Sequence, residues 1–399
     1  MTIEIPEYAE AVLSRLEQNG EEAYIVGGSL RDSLLGKAAS DYDVATSALP
    51  EQMIEIFKDH RVIATGLKHG TMTVISDTHP IEVTTFRVDG GYSDSRHPDS
   101  VSFTRSIEED VSRRDFTVNA MAYSQKRGLV DLFGGREDLA KGIIRAVGDP
   151  ERRFCEDALR IMRAFRFSAQ LNFEIEENTL AAAQKCREGL ARIARERISC
   201  ELFKLLGSSE PERPLVQMCE LGIAEYIFGR YMPERELVAL LPQMPRDPAA
   251  RLGLLLCKAD RETTSGILGE LRCSNKQRST ALAVAEHSSR AIMTQSDVSY
   301  LRKELGERAE VVMRASVLRG YTPKNALELL LSDIAPHSIS ELEISGNDLL
   351  SIGYSGREIG KTLSYLLDAA IDDPSLNTHE DLIVLARKKY EENTEKKGE

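Results

Sequence analysis

Ile25-Val26-Gly27-Gly28-Ser29-Leu30-Arg31-Asp32, followed by Asp41-Tyr42-Asp43-Val44-Ala45-Thr46, is the stretch on which the reading of this chain turns. The apolar run before the glycines reads as a strand, and residues 29–35 carry a helical pattern. Glycine lets a backbone approach a phosphate closely, and helix N-terminal amides supply donors for it. Arg31 falls in the first turn of that helix, where a guanidinium can reach phosphate oxygens. Taken alone, these residues also fit an ordinary strand–turn–helix joint. On a strand, residues two apart face the same side, so Asp41 and Asp43 are expected to project together. Adjacent like charges are costly unless a cation neutralises them. Hard carboxylate oxygens suit Mg2+, which keeps waters and shares substrate phosphates. The competing reading is a polar edge strand with solvated aspartates. Glu82, flanked by Ile81 and Val83, is either the outward residue of an alternating strand or a core-facing charge that needs a partner. Joined to Asp41 and Asp43, it supplies a third carboxylate for a two-metal site.

Outward from this stretch, residues 71–76, 81–86 and 119–123 read as further strands and 50–60 as a helix. After Gly134-Gly135 strands vanish and long amphipathic helical patterns take over. The expected fold is α+β: a mixed α/β head with a small antiparallel-type sheet, then an all-helical neck, body and tail. The boundaries fall at 1–140 for the head, 141–206 for the neck, 207–335 for the body and 336–399 for the tail. Pro- and Gly-bearing joints such as Gly207 to Pro214 mark the helical part.

Composition narrows the class. At 399 residues, with 42% hydrophobic and 29% charged, the chain can build two or three cores. No apolar run is long enough to span a bilayer, and the N-terminus lacks a signal-peptide layout, so a cytoplasmic protein is expected. Six scattered cysteines without a C-x-x-C pair argue against a disulfide scaffold or a zinc ribbon. The absence of Trp disfavours an aromatic platform for single strands. A net charge of −13 disfavours polyanion binding by the whole surface. Residues 141–204, however, hold 13 Lys and Arg against 10 Asp and Glu, a local excess of +3. Within them, Arg160, Arg163 and Arg166 share one side of an expected helix with Asp157, while Ala158, Ile161, Met162 and Phe165 share the other. Only Asp157 and Glu156 are near in sequence to pair with the three arginines, which leaves positive charge for an anion; a solvated arginine stripe is the plainer alternative.

Five segments together resemble the motifs of class II tRNA nucleotidyltransferases, within the polymerase-beta-like nucleotidyltransferase superfamily. They are Gly27 to Asp32 with Asp41 to Thr46, Arg113 to Ala120 (R-R-D-F-T-V-N-A), Asp131 to Glu137 (D-L-F-G-G-R-E), Glu156 to Phe167 (E-D-A-L-R-I-M-R-A-F-R-F), and Arg197-Ile198 to Leu206. The tail segments S-G-N-D-L-L and G-R-E-I-G-K-T-L-S-Y-L-L are similar to the C-terminal part of bacterial CCA-adding members. The resemblance implies template-independent addition of C, C and A to the 3′ end of tRNA from CTP and ATP, with Mg2+ as cofactor. Asp41 and Asp43 would hold the metals, with Glu82 as third catalytic carboxylate. Gly28, Arg31 and Arg114 would contact the incoming triphosphate. Asp157 and Arg160 would hydrogen-bond the Watson–Crick edge of the base: a carboxylate accepts from the exocyclic amine that C and A share, and a guanidinium donates to ring or carbonyl acceptors. Glu156 would orient Arg160, and Arg163 and Arg166 would meet nucleotide or RNA phosphate. The partner would be tRNA, gripped on its acceptor and T-stem side, and the enzyme a monomer or homodimer without a membrane role.

A Gly-, Ser- and Asp-rich segment at 88–102 corresponds to a flexible loop that enzymes finishing with A retain, which favours full CCA addition over CC addition alone. An A-adding specialist and a bacterial poly(A) polymerase share these head motifs and remain alternatives. A catalytically idle RNA-binding protein would lack the carboxylates. A metal phosphohydrolase is disfavoured, since the seven histidines form no His-Asp pair or ligand cluster.

Overall fold

The structure, a computed structural model, describes residues 3–39, 41–66, 70–90 and 101–398. The chain divides into two compact units. One comprises residues 1–232 with 270–272; the other comprises 233–269 with 273–399.

The first unit opens with helix α1 (Glu7–Gln18), whose Ala9, Val12, Leu13 and Leu16 are buried at helical spacing. A mixed sheet follows, with β1 (Ala23–Val26) an interior strand whose four residues are all buried. Helix α2 (Gly27–Leu34) leaves β1 directly, and the chain returns as β2 (Asp43–Thr46). After α3 (Pro50–Ile56) come β3 (Arg61–Gly66), β4 (Thr71–Ser76) and β5 (His79–Thr85). β4 and β5 form a two-residue hairpin with Ser76 opposite His79; Asp77 and Thr78 both take positive φ, as a primed turn requires. β6 (Arg87–Asp89) and β7 (Val101–Phe103) pair as a separate antiparallel ribbon. Of the segment at 88–102 expected to form a flexible loop bearing on A addition, the two ends belong to these strands and residues 91–100 lie outside the described residues.

Helix α4 (Ile107–Ser112) leads through a short 3-10 turn at Thr117–Asn119 into β8 (Ala122–Ser124) and β9 (Gly128–Val130). The seven-stranded order is β3-β4-β5-β2-β1-β8-β9, antiparallel throughout except where β2 and β5 run parallel. The α+β head is thus as expected, though β3, β9 and the ribbon were not anticipated. The run at 119–123 is turn before it is strand: Asn119 is the end of the 3-10 element, and its side chain serves Arg31.

The neck begins with α5 (Gly135–Lys141) and the two-residue strand β10 (Ile143–Ile144). Helices α6 (Pro150–Glu156) and α7 (Leu159–Leu171) follow, then β11 (Glu174–Ile175), α8 (Glu177–Lys185) and α9 (Arg195–Leu206). β10 and β11 pair in parallel, so strands do not end altogether at Gly135. Asp149 caps α6 by accepting from the Arg152 amide, with Pro150 at the first helical position.

The second unit is helical. Helices Pro248–Leu256 and Asn275–His287 cross closely at Gly253, where a Cβ would stand 2.4 Å from the Ala281 carbonyl oxygen. The long helix Arg357–Asp372 buries Leu363, Leu366, Leu367, Ala370 and Ile371 in a core completed by Leu349, Leu382 and Ala386. Among the described residues no helix is long and apolar enough to cross a membrane.

Candidate active site

A cleft of about 700 Å3 in the first unit gathers most of the candidate residues: Gly28, Arg31, Asp41, Asp43, Arg114, Asp157, Arg160, Arg163 and Arg166 all line it. Glu82 does not.

The glycine turn does what the sequence suggests, but through its first residue. Gly27 takes φ +71°, and a Cβ there would lie 3.4 Å from Arg114 Nη1 and 3.6 Å from Asp43 Oδ2. Gly28 is ordinary in backbone, and a Cβ on it would only touch Arg31 Nη2 at 3.6 Å. Gly27 is therefore the residue that lets a strand end, an arginine and a carboxylate meet at one point.

Asp41 and Asp43 do not share a strand. β2 begins at Asp43, and Asp41 precedes it, exposed. Both still face the cleft. Glu82 stands beside Asp43 in the parallel register of β2 and β5 and is exposed. Burial, then the charges of Glu82 and Asp41, push the Asp43 carboxyl up to about 6, against the opposing pull of Arg114. Among the described residues no three His, Cys, Asp or Glu side chains converge as a metal cage. The raised proton affinity of Asp43 nonetheless marks a carboxylate group short of positive charge. An ion held by Asp41 and Asp43, completing its shell with substrate oxygens and water, fits that donor set.

The arginines are held by carboxylates that the local sequence did not reveal. Asp110 of α4, with its side chain 1% exposed, accepts from Arg113 Nη2 at 2.7 Å and Arg114 Nη2 at 3.0 Å. Arg31 bonds Asp32 at 2.8 Å and donates from Nη1 to Asn119 Oδ1 at 2.8 Å. Arg163 pairs with the buried Asp115 at 2.6 Å, and Arg166 with Glu201 of α9. Burial opposes ionisation of Asp115, yet the charge and hydrogen bonds of Arg163 outweigh it and hold that carboxyl below its usual range. So the expectation that only Asp157 and Glu156 could pair with these arginines is wrong. Asp115 and Glu201 come from elsewhere in the chain.

The neck helix is also not continuous. α6 ends at Glu156, Asp157 takes an extended backbone (φ −145°, ψ 105°), and α7 starts at Leu159. A single helical wheel through Asp157 thus misplaces it. The break turns the Asp157 carboxylate to cap α7, accepting from the Leu159 amide at 3.0 Å, while its other oxygen meets Arg197 Nη2 at 3.0 Å. Arg160, only 9% exposed, donates to Glu156 at 2.6 Å and to the Arg153 and Arg113 carbonyls. Each member of the expected base-reading pair is therefore fixed by its own partners. Arg114 Nε and Arg197 Nη1 are buried donors without a hydrogen-bond partner among the described residues.

Sequence reasoning missed the roles of Asp110, Asp115, Asn119, Arg197 and Glu201. A signal existed for four: Asp115 and Asn119 lie within the R-R-D-F-T-V-N stretch, and Arg197 and Glu201 stand four apart on one helix face. Nothing local marks Asp110.

Comparison with known proteins places this geometry. Residues 23–145 match the family described as Poly A polymerase head domain, and 172–236 match the probable RNA and SrmB-binding site of polymerase A. A CCA-adding enzyme of Leuconostoc mesenteroides is 36% identical over 391 residues, 95% of each chain. One from Enterococcus faecalis is 35% identical over 403 residues, 96% of each. The crystal structure of the Bacillus stearothermophilus CCA-adding enzyme in complex with CTP superposes with a TM-score of 0.81 at 30% identity, covering 98% of both chains. The chain belongs to the CCA-adding enzymes, a family of tRNA nucleotidyltransferases.

Proposed function

We propose that the cleft adds C, C and A in turn to the 3′ end of tRNA, taking CTP twice and ATP once. In each cycle the terminal ribose 3′-hydroxyl loses its proton and its oxygen bonds the α-phosphorus. The bond from that phosphorus to the bridging oxygen breaks, and pyrophosphate leaves. The family is generally metal-dependent; here Mg2+ is the fitting ion, held by Asp41 and Asp43 with Glu82 adding negative charge beside them. When bound, it would lower the charge barrier to attack and to departure of pyrophosphate. The protein's own part is positional. Gly27 and Gly28 let the triphosphate approach, and Arg31 and Arg114 donate to its oxygens. Asp157 accepts from the exocyclic amine of C or A, and Arg160 donates to the ring edge. Arg163 and Arg166 face nucleotide or RNA phosphate. Residues 1–140 act as catalytic head and 141–206 as base-reading neck; 207–335 form the body, and 336–399 bear on the acceptor and T-stem side of tRNA. The enzyme works in the cytoplasm as a monomer or homodimer.

One observation carries this reading: a carboxylate pair and a separately anchored Asp157 and Arg160 share a single cleft that also contains buried arginine donors without a partner among the described residues. Single-turnover labelling of tRNA lacking its terminal nucleotides, with CTP alone, ATP alone and both, tests it. C-C followed by one A is expected. A added only to tRNA ending in C-C would identify an A-adding specialist, and a long A tract on unrelated RNA a poly(A) polymerase. Asp157→Ala is expected to blur base choice while tRNA affinity holds; unchanged selectivity would remove Asp157 from the reading role.

A further inference from the structure

Phe167, on α7 and only 5% exposed, lines the same cleft and is ringed by three guanidinium groups. The central guanidinium carbon of Arg166 lies 3.8 Å from the ring centroid, and those of Arg31 and Arg163 each lie 5.3 Å away. Arg31 comes from the head helix α2, whereas Arg163 and Arg166 come from α7, so the ring joins two elements. Phe116 meets Phe167 edge-on, at 5.8 Å and 80°, and fixes the plane of the ring.

Three like charges around one point repel, the more so where burial excludes water. Each has a carboxylate partner, namely Asp32, Asp115 or Glu201. A carboxylate fixes one edge of a guanidinium but leaves a long, rotamer-rich side chain free to swing about it. Arg31 and Arg166 each have one further side-chain acceptor, Asn119 and Gln170, and the aromatic face adds a restraint common to all three, since its negative quadrupole attracts cations. Among the described residues, protein partners engage only two donors of Arg163 and two of Arg166, out of five on each. Burial makes the Arg166 proton easier to lose than usual, the mark of a cation held where solvent helps it little.

We propose that Phe167 is a positioning residue for the triphosphate half of the site: its ring holds Arg31, Arg163 and Arg166 in the orientation in which they bind the anion, without touching it. This rests on the reading that these arginines meet phosphate. A residue that merely filled space against Phe116 would act through its shape alone. The cation-holding role acts through the electron density of the ring.

The two roles separate when Phe167 is replaced by 4-fluoro-, 3,5-difluoro- and 3,4,5-trifluorophenylalanine, which weaken the negative face stepwise at nearly constant shape. The probe is inorganic pyrophosphate, titrated calorimetrically against the full chain, alongside KM and kcat for CTP and ATP and the thermal midpoint. Pyrophosphate affinity is expected to fall stepwise, by about tenfold at three fluorines. KM for both nucleotides should rise in parallel, with kcat, C-and-A selectivity and midpoint steady. A flat pyrophosphate affinity across the series would overturn the inference while leaving the triphosphate reading intact. Failure of pyrophosphate to bind the unmodified protein, or binding indifferent to Arg31→Ala, would overturn the triphosphate reading and the inference with it. Phe167→Leu should match the trifluoro variant in pyrophosphate affinity; retention of full affinity by Phe167→Leu would also refute the role of the ring.

Discussion

Asp43→Asn is expected to destroy transfer and yet make the cation-free protein more stable at pH 8. Asp43 is half-buried, and burial together with Glu82 and Asp41 raises its carboxyl from 3.8 to about 6. In the unfolded chain it titrates near its ordinary value. Between roughly pH 4 and pH 6 the folded state thus binds a proton that the unfolded state has released, so stability falls as pH rises through that window. Above pH 6 the full penalty is present, and below pH 4 it is absent. Two pH units correspond to about 3 kcal/mol. Because Asp41 and Glu82 are exposed, their share is screened, and about 1–2 kcal/mol is the working figure. Asparagine has the same shape and no charge, so it removes the penalty. For a unit of this size that is a rise in midpoint of about 2–8 °C. Thermal unfolding in chelator at pH 8 and at pH 4.5 measures it. The gain should be large at pH 8 and shrink towards zero at pH 4.5. Added Mg2+ should raise the midpoint of the parent but not of the variant. Since the chain has two compact units, the relevant transition is the one that Mg2+ moves. Equal midpoints at pH 8, or a gain that ignores pH, would refute the claim that Asp43 is a strained carboxylate awaiting a cation.

Two other substitutions probe the anchors. Asp110→Ala removes the buried carboxylate shared by Arg113 and Arg114, and should cost about 3 kcal/mol by taking a buried counter-charge from two mostly shielded guanidiniums. It should also raise the KM for both nucleotides together, in denaturant titration and steady-state assays respectively. Arg197→Met frees one oxygen of Asp157; misincorporation of U and G, read by sequencing the extended tRNA, should rise more than tRNA affinity falls.

Much of the head was legible because its signals are local. The strand Ala23–Val26 is buried at every position and reads as a central strand from its apolar run alone, and β4 has the expected bounds. β3 and β9 escaped because neither follows an alternating pattern: Arg61–Gly66 ends in small residues, and Gly128–Val130 is only three residues long. The break at Asp157 escaped for a physical reason. Its flanks, Glu156 and Ala158, are ordinary helix formers, and neither Pro nor Gly announces an end. Helix α6 stops there because the Asp157 carboxylate is taken by the Leu159 amide and by Arg197 forty residues on. Composition cannot report a partner at that distance. The same holds for the arginines, whose type and spacing were visible but whose buried partners Asp110, Asp115 and Glu201 were not.

Those partners explain how a chain of net charge −13 can handle two polyanions at once. The cleft does not attract by excess charge, because Arg31, Arg113, Arg114, Arg160, Arg163, Arg166 and Arg197 are each already tied to an Asp or Glu of the protein. Coulomb attraction from such paired groups is short-ranged, and what they offer a triphosphate is donors fixed in direction. A loose, strongly positive groove would bind any RNA segment that drifted into it, with affinity falling steeply in salt. A cleft of pre-aimed, charge-compensated guanidiniums instead favours the ligand whose acceptors match its geometry. It follows that nucleotide KM should vary little between 50 and 200 mM salt, whereas tRNA affinity should fall with salt by at least an order of magnitude; a nucleotide KM as salt-sensitive as tRNA binding would mean that net charge, not the fixed orientation of these arginines, holds the triphosphate.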